Sequence, residues 1–155
     1  MNQIALRAGV GAGTLYRHFP TREALVLAVY REEVERIVAT VPDLLAELEP
    51  LEALRAWTTD LVQAMRHKHG LGDALSPGAH RAITEQSYQP VIDAVTSLLD
   101  AGKHDGSIRS DADPADFLQL TGALWRAQTE PVDRAPSMLA LILDGLRNQA
   151  ADDPG

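Results

Sequence analysis

Three observations predict an all-α chain, with two short helices at its head and a bundle of longer helices behind them. Apolar residues recur at helical spacing along most of the sequence. No stretch alternates with the period of two that marks a strand, and glycine and proline punctuate the chain at helix-length intervals. There is no internal repeat.

Residues 2–9 form a short helix that Gly9 stops. Gly11 and Gly13 bracket a turn, and a second short helix over about 13–19 ends at Pro20. Thr21 caps a third helix that runs to about residue 40, with Glu23 favourably placed against its dipole. Ala24, Leu25, Ala28, Val29, Val34, Ile37 and Val38 form the apolar stripe of that helix. Pro42 and Pro50 flank a linker holding one short turn of helix, DLLAEL. A helix over about 51–68 carries Leu54, Trp57, Leu61 and Met65 on one face. Gly70, Gly72, Pro77 and Gly78 then mark a looser region with a short helix near 79–86. Pro90 starts a helix through Leu99 that stops at Gly102. Asp113 caps a helix opening at Pro114 and reaching about Gln128, with Asp116 in the capping-box position. The last helix runs from Pro136 to about Gln149, and the final ADDPG frays.

At 155 residues the chain is long enough to bury a core without a disulfide or a metal. It has no cysteine, which excludes a disulfide framework, thiolate metal sites and thiol catalysis. No apolar run approaches the ~20 residues that cross a bilayer, and no signal peptide is marked, so the expectation is a soluble cytoplasmic protein. His67 and His69 lie two apart on a helix and point away from each other, a poor metal pair. No metal and no cofactor is expected. There is no nucleophile elbow, phosphate loop, paired-histidine metal helix or dinucleotide fingerprint, which argues against an enzyme.

The net charge of −8 is unevenly spread. Residues 1–22 carry Arg7, Arg17 and Arg22 and no acid, while all 22 acids follow. Such a basic end on an acidic chain points to an anionic partner for that end. Two short helices joined by a glycine turn fit a helix-turn-helix unit, whose second helix enters the DNA major groove. Ile4, Ala8, Val10, Leu15 and Phe19 are expected to form its small core, leaning on the long helix that starts at Thr21. That placement turns Thr14, Tyr16, Arg17 and His18 outward.

The segment IALRAGVGAGTLYRHFPTREAL, residues 4–25, strongly resembles the signature of the tetracycline-repressor (TetR) family. In that signature a helix ending in Ala-Gly-Val is followed by Gly-Thr-Leu-Tyr-x-His-Phe and a basic residue opening the next helix. KHGL at 68–71 and GSIRSDADPADF at 106–117 resemble the family's ligand-binding domain more loosely. The resemblance implies a DNA-binding transcriptional regulator, a repressor that binds a palindromic DNA operator as a homodimer and answers to a small-molecule effector. It implies that Ala12, Gly13, Thr14 and Arg17 face base edges, that Tyr16 and His18 donate to phosphates, and that Arg22 clamps the backbone. Gly11 stands where the family usually has a capping Ser, at a cost of only a few tenths of a kcal/mol. The family has a full helix before this motif, so the expectation is a head lacking its first helix. The alternative that follows is a dimeric, small-molecule-binding helical module that does not bind DNA.

The expected organisation is a DNA-binding region and connecting helix over residues 1–40 and a ligand-binding and dimerisation domain over 41–155. Trp57, Leu61, Met65, Tyr88 and Trp125 are candidates to line an effector cavity, with His69 and Gln119 as polar contacts, although each alone also suits an ordinary core. Phe117, Leu120, Leu124, Leu139, Ile142, Leu143 and Leu146 are candidates for an intersubunit four-helix bundle. Gly122 and Gly145 lie mid-helix there, as a close helix-helix approach would require.

Overall fold

The computed structural model describes residues 1–70, 75–126 and 133–148. In chain order the helices are α1 (Asn2–Ala8), α2 (Ala12–His18), α3 (Arg22–Ala39), α4 (Val41–Glu47), α5 (Pro50–Gly70), α6 (Pro77–Asp105), α7 (Pro114–Arg126) and α8 (Ala135–Leu146). The fold is all-α; among the described residues the one piece of extended pairing is an isolated antiparallel bridge between Ile108 and Arg147. No described helix is long and apolar enough to cross a membrane.

α5 is the axis of the bundle, touching α3, α4, α6, α7 and α8. Leu54, Trp57 and Thr58 on it are fully buried, and the Trp57 indole Nε1 donates to the Ile37 carbonyl at 3.0 Å. That bond, with Tyr30, Val34 and Ile37 in the shared core, seats α3 on the bundle. The helix bearing the head is therefore itself part of the core.

Local chemistry sets most boundaries. The Thr21 hydroxyl accepts from the Ala24 N–H at 3.0 Å, opening α3. The Asp113 carboxylate accepts from the N–H groups of Ala115 and Asp116, opening α7 behind Pro114. Ser76 caps α6 through the Ala79 N–H, and Gly106 closes it at φ 82°.

α6 corrects the sequence expectation. One 29-residue helix replaces a short helix near 79–86 and another from Pro90 to Gly102. Pro90 continues the helix because its fixed φ is helical and its missing N–H removes a single bond. Gly102 does not stop the helix either. It is glycine because Ile108, folding back and fully buried, occupies the space a Cβ would need.

Candidate nucleic-acid interface

α1 ends in a left-handed glycine turn. Gly9 has φ 68°, its N–H donates to Leu6, and the Val10 N–H reaches back to the Ala5 carbonyl at 3.0 Å. This paired closure satisfies the end of α1 and turns the chain sharply into α2. Gly11 caps α2 with no side-chain acceptor, as the absence of Ser there implies.

The core of this pair differs from the expectation. Ala5 and Leu15 are buried and Phe19 is half-buried, whereas Ile4 and Val10 are 41% and 43% exposed and Ala8 is exposed. The register of the seven-residue α1 sets Ala5, not its neighbours, toward α2. Nor do the two helices lean on α3: they pack on each other and make no extensive contact with the bundle.

α2 carries Ala12, Gly13, Thr14, Tyr16, Arg17 and His18, all of them exposed, and Arg22 is exposed in the first turn of α3. With Leu15 turned inward, the remaining side chains form one continuous solvent face. Among the described residues Arg7, Arg17 and Arg22 make no ion pair. In the bundle, Arg36, Arg55, Arg66, Arg109 and Arg147 each hold an acid. The head therefore presents guanidinium charge that no carboxylate of its own neutralises, which suits phosphate.

The head-bearing helix is tied to the bundle at a defined point. Glu23 Oε1 accepts from both the backbone N–H and the hydroxyl of Ser76, at 2.8 and 2.6 Å, joining the start of α3 to the cap of α6. Further along, Arg31 donates to the Gln86 side chain at 3.4 Å, and the Tyr30 hydroxyl donates to Met65 Sδ at 3.4 Å. Burial pushes the Tyr30 phenol up to about 12. A cavity of about 300 Å³ lies between α3 and α6, lined in part by Tyr30, Val34, Ile83 and Ser87.

The expected effector lining separates in the structure. Trp57, Leu61 and Met65 are buried together on α5, but Tyr88 is 50% exposed on α6 and Gln119 is exposed on α7. The side chains of His69 and Trp125 lie outside the described residues. The expected subunit interface is also corrected. Phe117, Leu124, Leu139 and Leu143 are buried within the chain's own core, because α7 and α8 turn those positions onto α5 and each other. The outward face consists of Leu120 at 57% and Leu141 at 73% exposure, flanked by the half-buried Ile142 and Leu146. The sequence does not mark Leu141, because α8 is apolar on nearly every side and its spacing defines no outer face. These residues and Gly145 border a surface cavity of about 500 Å³.

Residues 1–29 match the family described as bacterial regulatory proteins of the tetR family, and residues 49–148 match the C-terminal domain of SbtR-like transcriptional regulators. A TetR transcriptional regulator from Streptomyces coelicolor superposes with a TM-score of 0.78 at 44% identity, covering 94% of this chain and 86% of that one. A TetR regulatory protein from Mycobacterium vanbaalenii gives 0.70 at 35% identity, over 94% and 81%. The transcriptional repressor KstR2 of Rhodococcus jostii is 26% identical over 94% of this chain and 80% of its own length.

Proposed function

This chain belongs to the TetR family of transcriptional regulators and is a DNA-binding, ligand-responsive regulator, and we propose that α2 is the helix that enters the operator's major groove. The observation that carries the assignment is the exposed, acid-free face of α2, with Arg17 on it and Arg22 just beyond it in the first turn of α3, neither in an ion pair among the described residues. Thr14 and Ala12 suit thymine methyl groups, and Arg17 is the side chain able to take guanine bidentately. Tyr16, His18 and Arg22 hold phosphates, which positions the helix without specifying sequence. Members of the family bind operators and typically act as dimers. Two copies joined through the Leu120 and Leu141 face would set two α2 helices into successive major grooves of a palindrome, roughly 34–36 Å apart. The Rhodococcus jostii relative is a repressor, and repression is the direction we assign here. Regulation, not catalysis, is the role this reading gives the chain.

Anisotropy titrations on DNA from upstream of the chain's own gene, against a scrambled duplex, test the reading. Arg22→Ala weakens both duplexes alike and lowers the salt slope by about 1. Arg17→Ala instead shifts sequence preference, by about 1–3 kcal/mol at the base it reads. Absence of any salt-dependent binding at low ionic strength, without added ligand, refutes the assignment.

A further inference from the structure

We propose that a recess among α5, α7 and α8 is a binding site for a small carboxylate with an apolar body, anchored on Arg66, and that Asp133 is the resident carboxylate such a ligand displaces. The recess has a volume of about 140 Å³ and apolar walls from Val62, Leu124, Pro136 and Leu139. A cavity of about 150 Å³ admits benzene, so this open recess, which Thr59 and Gln63 also line, has room for one aromatic ring or a short branched chain.

Arg66 supplies the recognition. Its Nη1 and Nη2 donate to the two Asp133 oxygens at 2.9 and 2.7 Å, the bidentate fork in which guanidinium holds carboxylate. Nη2 also reaches the Leu124 carbonyl at 3.4 Å, which fixes the plane of the group against the end of α7. The Nε atom is buried with no hydrogen-bond partner among the described residues, so the fork formed by Nη1 and Nη2 is the part of the guanidinium open to exchange. Among the described residues Asp133 is the single acid lining the recess, and its release leaves the Arg66 fork open to another carboxylate.

The exchange is feasible because the partners differ in exposure. The Arg66 side chain is three-quarters buried, while that of Asp133 is more than half exposed and returns to water at little cost. One carboxylate replaces another on the same fork, so electrostatics nearly cancel and the apolar body entering the recess supplies the driving force. Asp133 Oδ1 also accepts from the Ala135 N–H at 3.0 Å, at the first residue of α8. Displacement therefore frees the start of the helix that carries Leu141, and with it the geometry of the proposed subunit contact.

The proposal rests on the ligand-responsive reading for its consequence on DNA, but binding itself is scored without DNA, so the two fail separately. The probe is sodium benzoate, titrated calorimetrically into the full chain, with benzamide as the uncharged isostere. Benzoate binds and benzamide binds at least about tenfold more weakly. Asp133→Asn tightens benzoate about tenfold, as expected if removing the competing carboxylate raises the binding-competent fraction about tenfold. Arg66→Gln abolishes binding. A merely structural ion pair would give no tightening in Asp133→Asn. Should either variant fail to fold by circular dichroism, the contrast between benzoate and benzamide on the unaltered chain decides. Equal binding of the two probes, binding of benzoate by neither the native chain nor Asp133→Asn, or undiminished binding by folded Arg66→Gln overturns the proposal.

Discussion

Removing the Glu23 carboxylate tests whether the head-bearing helix is latched to the bundle. Glu23 Oε1 takes two donors from Ser76, at 2.8 and 2.6 Å, and both bonds have a charged acceptor. Hydrogen bonds to charged groups contribute about 1.5–3 kcal/mol when shielded, but this pair lies at the surface, where water competes and the value falls toward about 1 kcal/mol in total. Glu23 also sits in the first turn of α3, a placement with about 0.3–1 kcal/mol of dipole stabilisation. Glu23→Ala is therefore expected to cost about 1–2 kcal/mol, or roughly 2–8 °C in Tm for a domain of this size. Ser76→Ala loses the same latch and the cap on α6, the latter worth about 1 kcal/mol. The two losses share the latch, so the double variant must be less destabilised than their sum, by about 1 kcal/mol. Urea unfolding of the four proteins measures this coupling directly. Strict additivity would show that the contact stabilises nothing and that α3 is held by its buried face alone.

Three other outcomes follow from the packing and the ion pairs. Gly102→Ala gains about 1 kcal/mol of helix propensity but sets a methyl within 2.5 Å of Ile108 Cγ1. Overpacking of about 1–3 kcal/mol then outweighs the gain, so Tm falls, and adding Ile108→Val recovers part of it. Leu141→Lys, on the exposed face of α8, yields a folded monomer by light scattering, whereas Leu143→Lys, fully buried, unfolds the chain. Asp133 is held down to about 2 by the Arg66 hydrogen bonds and the Ala135 N–H. Because its folded value lies below the unfolded one, its contribution is full above pH ~4 and is lost as pH falls toward 2. Asp133→Asn therefore flattens the acid limb of a Tm-against-pH curve.

What was legible in the sequence is what local chemistry determines. Thr21, Asp113 and Gly9 announce the helix ends they make, because caps and left-handed turns act within a few residues. The α2 face was legible for the same reason, since Leu15 alone sets which side of a seven-residue helix turns outward. The remainder depends on partners far along the chain. Gly102 reads as a helix stop until Ile108 is seen to occupy its Cβ space. Arg66 and Asp133 are 67 residues apart, and nothing around either marks the other. Phe117, Leu124, Leu139 and Leu143 were apolar enough to suit a subunit interface, and only their burial against α5 and each other assigns them to the chain's own core.

Pro90 gives α6 two unequal halves. Lacking an amide hydrogen, it leaves the Gln86 carbonyl without its helical donor. Ahead of it, Ala79 and Ile83 are the buried apolar side chains; beyond it, Ala94, Val95, Leu98 and Leu99 are, the last three of these fully. In hydrogen exchange the far half should keep the clock of global unfolding, and the near half a faster one set by local opening. The near half is also the part that holds Glu23 and Arg31 of the head-bearing helix. The contacts of α6 with Glu23 and Arg31 thus lie in the half expected to open more readily, so that half can loosen its hold on the head-bearing helix while the rest of α6 stays closed.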